Sequence, residues 1–138
     1  MRVTVPTDYK PSDKEAFMNP VMLEYFCRKL LSWRDDLLNE SNETLQTLQE
    51  GSMLQADIAD RASTEADRSL QLRTRDRARK LISKIEEALE RIESGSYGYC
   101  EETRESISLQ RLEARPVATL SIEAQERHER MEKMRRDD

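Results

Sequence analysis

The sequence predicts a mainly α fold: an antiparallel two-helix coiled-coil hairpin on a small globular base that carries a short β-hairpin and a C-terminal helix. Few helix-breaking residues are present, since only three Gly and four Pro occur among 138 residues, and long helices are therefore possible. Charged residues (37%) are about as frequent as hydrophobic ones (36%), which suits an elongated, solvated chain better than a sphere with a large core. Leucines also recur at helical spacing in two separate segments.

The first helix is predicted from Pro20 to about Gly51. Asn19 is a suitable cap, and proline is preorganised for the first helical position. At 1.5 Å per residue this helix would be roughly 48 Å long. One stripe of the helix is marked by leucines seven residues apart: Leu31, Leu38 and Leu45.

The second helix is predicted from about Asp60 to Ser94, with Gly95 as its C-terminal stop. Two helices of matching length joined by a short connection are expected to fold back on each other. Because neither helix has a wide apolar face, the pair should form a two-stranded coiled coil. The apolar stripe of the second helix is expected at Ala62, Ala66, Leu70, Leu81, Ile85, Ala88 or Leu89, and Ile92.

Four segments follow from this organisation: an N-terminal arm (1–18), the hairpin (19–95, with its tip at about 53–62), the base (96–124) and a C-terminal helix (125–138). In the base, the alternation at 106–109 predicts a short strand. Ser121 is expected to cap the last helix, with Glu123 favourable in the first turn. A base this small is marginal unless it packs on something else.

Composition excludes several classes of protein. The net charge of -5 argues against a chain that grips phosphate backbones, so no direct sequence-specific DNA binding is expected. Two cysteines cannot form a disulfide scaffold. No signal peptide or membrane span is visible, which predicts a cytoplasmic protein without membrane contact. With one His and no Gly-rich phosphate loop, no catalytic residues are predicted.

Three segments carry a resemblance to a known family. Residues 57–62 have the form DxxDxA, residues 72–89 read LRTRDRARKLISKIEEAL, and residues 97–120 contain RLEARP. Together they resemble the DksA/TraR regulators of bacterial RNA polymerase, over about 17–126. The resemblance implies a coiled coil that enters the polymerase's secondary channel, with regulation carried at the tip by Asp57, Asp60 and Ala62. A purely structural role is the alternative, because aspartates at a helix start accept backbone N–H bonds.

The base resembles the family's zinc finger but departs from its ligand pattern. The family pattern C-x2-C-x17-C-x2-C suits tetrahedral zinc. The same spacing here gives Cys100, Thr103, Ser121 and Ala124, a degenerate finger with one cysteine left of four. A single thiol cannot chelate structural zinc, so the sequence predicts a chain without a metal or other cofactor.

The resemblance also implies an effector, the nucleotide ppGpp. The matching positions are Leu81, Lys84, Arg111, Arg115 and Gln125. Three of them keep the cations that phosphates require. Gln125 stands where the family usually has Lys, which predicts a weakened contribution there.

A run of basic side chains on the second helix allows two interpretations. Seven cations occur between Arg68 and Lys84. They either form a solvated flank paired with acidic residues of the first helix (Asp35, Asp36, Glu40 and Glu43) or contact an acidic partner surface.

The function expected from the resemblance is that of a monomeric, non-enzymatic transcription factor. It would bind RNA polymerase and modulate promoter open-complex stability together with ppGpp, as part of the stringent response. The alternative is a coiled-coil scaffold or oligomerisation protein without polymerase contact.

Overall fold

The computed structural model of the chain describes residues 3–53 and 58–137, with the side chains at 44, 47–53, 58–64 and 137 outside the description. Four helices lie in this part of the chain: α1 (Pro20–Met53), α2 (Ile58–Ser94), α3 (Leu109–Ala114) and α4 (Ile122–Asp137). The chain divides into two compact units, a base unit (1–30 with 87–138) and a hairpin unit (31–86). None of the described helices is long and apolar enough to cross a membrane.

The mainly helical fold and the helical hairpin are confirmed. In the hairpin unit α1 and α2 contact each other. Six of the less exposed positions of α2 here, 68, 71, 75, 78, 82 and 85, alternate in steps of three and four residues, which is typical of a coiled-coil seam; Leu81 beside them is also half-buried.

The predicted apolar stripe of α2 is wrong at Ala66 and Leu70, whereas the side chain of Ala62 lies outside the description. Leu70 is 62% exposed and Ala66 is exposed, because successive steps of four residues drift around a helix, whereas a seam alternates three and four. The half-buried positions there are instead polar: Arg68, Gln71 and Arg75. This part of the seam therefore contains little apolar surface.

A similar displacement occurs on α1. Leu38 is 44% exposed, although the seven-residue spacing placed it on the inner stripe. Its neighbour Leu37 is half-buried, as are Ser41 and Leu45. The inner face of α1 is thus one position away from the predicted stripe at this point.

The base unit holds the main core. Its buried side chains come from the first part of α1, the end of α2, the turn after it, α3 and the start of α4. They are Met22, Phe26, Leu30, Ala88, Tyr97, Cys100, Ile107, Leu109, Leu112, Val117, Ala118, Ser121 and Ala124.

The predicted helix ends are confirmed by hydrogen bonds. The Asn19 Oδ1 accepts the Met22 N–H at 3.0 Å, so α1 begins as expected at Pro20. The Ser121 Oγ accepts the Ala124 N–H at 3.2 Å and caps α4. At the end of α2, Gly95 has a φ of +84°, the left-handed conformation that commonly ends a helix.

The short β-hairpin of the base is reduced, in the described residues, to one antiparallel bridge between Tyr99 and Ser106. The Ile107 N–H donates to the Gly98 carbonyl at 2.7 Å beside it. The predicted strand at 106–109 stops there because Ser108 caps a helix, its Oγ accepting the Arg111 N–H at 3.2 Å. The sequence analysis did not predict this helix, α3.

The N-terminal arm packs on the rest of the base unit through aromatic rings. Tyr9 meets Tyr25 of α1 edge to face, with ring centroids 5.7 Å apart. Phe17 meets Tyr99 in the same way at 5.4 Å. These contacts order a segment whose polar composition predicted only an extended arm.

Candidate functional site

A shallow cleft of about 210 Å³ lies between α3 and the start of α4 in the base unit. Two of its side chains are cations, Arg111 and Arg115, and both were predicted as effector-binding residues. The lining residues are Ser108, Gln110, Arg111, Ala114, Arg115 and Ile122.

The two arginines are held differently. The Arg111 Nε donates to the Leu120 carbonyl at 2.9 Å, which fixes the guanidinium against the segment before α4. Arg115 is the C-cap of α3, its backbone N–H donating to the Arg111 carbonyl at 2.7 Å, and its side chain is exposed. The cleft thus combines one anchored and one exposed guanidinium, groups suited to phosphate oxygens.

The other predicted effector residues lie elsewhere. Leu81, half-buried, and Lys84, exposed, belong to α2 in the hairpin unit. Gln125 lies in the first part of α4, where its Nε2 donates to Glu129 Oε1 at 3.2 Å, and it does not line the cleft. Within the base unit, the structure brings together Arg111 and Arg115.

The opposite side of α3 is attached to α1 by three residues, the α1–α3 clamp: Tyr25, Lys29 and Glu113. The Lys29 Nζ donates to the Glu113 carbonyl at 2.9 Å and to Glu113 Oε2 at 2.5 Å. The Tyr25 hydroxyl also hydrogen-bonds the Glu113 side chain, and Lys29 Nζ lies 5.9 Å from the centroid of the Tyr25 ring. The clamp therefore joins an ion pair, a helix-end carbonyl and an aromatic ring.

The clamp shifts the pKa of both acidic partners. Burial raises the pKa of Tyr25 to about 12, with the hydrogen bond and charge of Glu113 adding to the effect. Burial alone would raise the pKa of Glu113, but hydrogen bonds from Lys29 and Tyr25 outweigh it and lower that pKa. Sequence analysis missed this site; the four-residue spacing of Tyr25 and Lys29, which places both on one face of α1, was the available signal.

Three of the four zinc-ligand positions meet at one point, where Thr103 and Ser121 contact the buried Cys100. Its sulfur accepts hydrogen bonds from the Thr103 hydroxyl and from the backbone N–H groups of Ser121, Thr103 and Glu102. Burial would raise the pKa of the thiol, but these donors lower it to about 6. Ala124, the fourth position, is buried in the first turn of α4. Among the described residues, no three His, Cys, Asp or Glu side chains are grouped to hold a metal.

The regulatory tip lies largely outside the described residues. Asp57 falls in the undescribed segment, and Asp60 and Ala62 belong to α2 with their side chains outside the description. Their predicted roles stay predictions.

Four cations of the basic run form a continuous exposed row on α2. Steps of four, three and four residues place them on one helix face, and all four side chains are exposed: Arg73, Arg77, Lys80 and Lys84. An ion pair of the run lies within α2 itself, from Arg79 to Asp76 at 3.3 Å.

Comparison with known protein families gives two matches. Residues 22–92 match the N-terminal domain of the DnaK suppressor protein DksA. Residues 95–130 match the prokaryotic DksA/TraR C4-type zinc finger. The two matches cover α1, α2 and most of the base.

Individual relatives agree with these matches. An RNA polymerase-binding transcription factor DksA from Caulobacter vibrioides is 64% identical over 132 residues, covering 96% of this chain and 93% of the relative. The protein of the same description from Escherichia coli K12 is 43% identical over 115 residues, covering 83% and 76%. The structure of transcription factor DksA2 from Pseudomonas aeruginosa aligns with a TM-score of 0.80 at 43% identity, covering 86% of this chain and 91% of that one.

The prediction that the chain takes no zinc or other cofactor is contradicted by the match of residues 95–130 to a C4-type zinc finger. That prediction counted only the thiolates at four positions and treated the loss of three as decisive. The family match extends over the whole segment and includes the surroundings of Cys100. The residues present do not supply the family's four thiolates.

Proposed function

This chain belongs to the DksA/TraR family, and on that premise we propose that it is a transcription regulator that binds bacterial RNA polymerase. The observation that carries the proposal is the 64% identity to an RNA polymerase-binding transcription factor over 96% of the chain. The protein acts as a monomer and a non-enzyme, and it contacts polymerase rather than a specific DNA sequence.

The hairpin unit is the part proposed to enter the polymerase's secondary channel. Its two helices supply the required form, and the DxxDxA motif would deliver Asp57, Asp60 and Ala62 near the active site. Carboxylates suit that location because they can engage basic side chains or perturb the ligand field of a magnesium ion. From there the protein modulates the stability of promoter open complexes.

The exposed row on α2 supports a second contact. Arg73, Arg77, Lys80 and Lys84 present four exposed cations on one face, where Asp76, paired with Arg79, is an acidic neighbour. Such a row is suited to an acidic surface of the polymerase, where complementary charge promotes association and fixes register.

The effector proposed for this chain is ppGpp. The support is the cleft of the base unit, where Arg111 and Arg115 provide guanidinium groups for phosphate. Leu81 and Lys84 are further residues proposed to contact the nucleotide in the polymerase complex. Gln125 contributes less than the usual lysine, because a neutral amide bonds phosphate more weakly than a cation does.

Capture of core RNA polymerase by the full chain tests the proposal, followed by measurement of open-complex lifetime with and without ppGpp. We expect capture, a changed lifetime and a further change with ppGpp. Failure to capture polymerase, together with a concentration-dependent dimer in sedimentation, would instead favour the coiled-coil scaffold.

A further inference from the structure

We infer that Lys29 is a positioning residue for the cleft of Arg111 and Arg115, acting through Glu113 on the far side of α3. The inference rests on the proposed role of that cleft in binding the tetraphosphate nucleotide. It assigns a function to the α1–α3 clamp, whose three residues neither line the cleft nor belong to the polymerase-contacting segments described above.

The helix that presents the cleft needs external support. With six residues, α3 has fewer than two turns, and helices this short do not persist without tertiary contacts. Its N-terminus has the Ser108 cap, and Leu109 and Leu112 are buried. Among its C-terminal carbonyls, that of Arg111 accepts the Arg115 N–H, and the following ones need partners from outside the helix.

Lys29 satisfies one of these carbonyls. Its Nζ donates to the Glu113 carbonyl at 2.9 Å, and the same nitrogen pairs with the Glu113 carboxylate at 2.5 Å. Lys29 and Glu113 are each about one-third exposed, so solvent screens the pair only in part. The final turn of α3 is thereby held to α1 by main chain and side chain together.

The two faces of α3 explain why this contact bears on the cleft. Residues 109, 112 and 113 point inward, to the core or to α1, whereas 110, 111, 114 and 115 line the cleft. Glu113 is only two residues before Arg115, the C-cap whose N–H bonds the Arg111 carbonyl. Fixing the inner face therefore fixes the backbone position from which the exposed Arg115 side chain extends.

A preorganised cation binds phosphate more tightly than one that must be ordered on binding. Without Lys29 the last turn of α3 should fray, and Arg115 should sample positions away from the cleft. The nucleotide would then be bound more weakly, although contacts made by the hairpin unit with polymerase would be unchanged.

The experiment is a ppGpp titration of open-complex lifetime with the full chain and its variants. Lys29→Gln should raise the ppGpp concentration for half-maximal effect about fivefold, with the effect in the absence of nucleotide unchanged. Lys29→Arg, which keeps a cation able to bond both oxygens, should restore most of the response. Lys14→Gln, the same change at an exposed lysine of the arm, is the control and should match the wild type.

Glu113→Gln tests the same contact from the other side. It should produce a shift similar to that of Lys29→Gln, and the double variant should be little worse than either, because both changes remove one interaction. Circular dichroism of each variant verifies that the helices remain intact.

Several outcomes would overturn the inference. The inference is wrong if Lys29→Gln responds to ppGpp at the same concentrations as the wild type while Arg115→Ala abolishes the response. The cleft would then bind the nucleotide without help from the clamp. The inference is also wrong if Lys29→Arg weakens the ppGpp response as much as Lys29→Gln does, or if the variants lose the effect on open-complex lifetime without nucleotide. Lys29 would then contribute only to the overall stability of the protein. If the wild type itself shows no change of open-complex lifetime with ppGpp, the proposed nucleotide binding is wrong, and the inference about Lys29 is wrong with it.

Discussion

The Tyr97 hydroxyl donates a hydrogen bond to the Pro116 carbonyl at 2.8 Å inside the base unit. The partners lie 19 positions apart in the sequence, and Tyr97 is almost fully buried, with its ring centroid 5.6 Å from that of Phe26. The bond joins the turn after α2 to the segment after α3. Burial raises the pKa of this phenol, so it remains a donor throughout the neutral range.

Tyr97→Phe should lower the free energy of unfolding by about 1 to 2 kcal/mol, because the buried Pro116 carbonyl would lose its donor while the ring packing is kept. Urea denaturation followed by circular dichroism measures the change. Tyr99→Phe, at a 40% exposed ring nearby, is the matched control and should change stability little. Equal effects of the two substitutions would contradict the assigned bond.

Gly98→Ala should destabilise the base unit more than Gly95→Ala. Both glycines have a positive φ, +90° and +84°, but a Cβ at 98 would lie 2.7 Å from Met18 Cε, whereas one at 95 meets nothing within 4 Å. Backbone strain alone costs about 1 to 2 kcal/mol, so Gly95→Ala measures that part. The contact with Met18 of the arm should add about 1 kcal/mol of destabilisation at Gly98. If thermal unfolding shows equal destabilisation by the two substitutions, the arm moves aside without an energetic penalty.

Glu113 should make stability fall in acid. Its pKa in the folded chain lies below the ordinary value of 4.5, so its contribution is present above that value and is lost as the pH falls through the lower, folded one. The charges facing the carboxylate are Lys29 and Lys10. The free energy of unfolding, measured in urea at neutral pH and at about pH 3, should fall less in Glu113→Gln than in the wild type. An identical decrease in the two proteins would mean that this carboxylate does not cause the pH dependence.

Arg115→Ala should abolish most of the ppGpp response without unfolding the protein, because an exposed C-cap side chain contributes little to the core. Gln125→Lys should strengthen the response about fivefold, the difference between a charged and a neutral phosphate contact. Arg127→Ala, at an exposed arginine of α4, serves as control. If neither substitution changes the titration of open-complex lifetime, regulation is independent of the nucleotide.

Asp60→Asn should remove most regulatory activity while leaving polymerase binding nearly unchanged, since the substitution keeps the size and some capping ability of the side chain but deletes its charge. Open-complex lifetime and polymerase affinity are measured side by side. Loss of binding would make the tip an anchor, and normal regulation would leave the carboxylate a helix cap only.

The two long helices, the start of α1 and of α4 and the end of α2 could be predicted because their signals are local. Asn19, Ser121 and Gly95 act on backbone groups within a few residues of themselves, so composition at those positions suffices. Family membership was likewise recognisable from short motifs in the second helix and the base.

The remaining features depend on contacts between distant residues. Lys29 and Glu113 are separated by 84 positions, and no local pattern pairs them. The strand expected at 106–109 gave way to α3 because the Ser108 cap and burial of Leu109 and Leu112 outweigh a weak alternation. The zinc prediction failed because it weighed individual donors and not the similarity of the entire segment.

The polar seam of the hairpin unit has a consequence for local opening. At Ile82 and Ile85 the seam buries branched apolar side chains, whereas at Arg68, Gln71 and Arg75 it contains long polar ones, and one buried nitrogen of Arg68 has no hydrogen-bond partner. The free energy needed to separate the helices should therefore decrease along α2 from residue 85 towards residue 68. The helices should stay paired near the isoleucines and separate more often near Arg68. The backbone amides of α2 should therefore exchange with solvent faster around residue 68 than around residue 85.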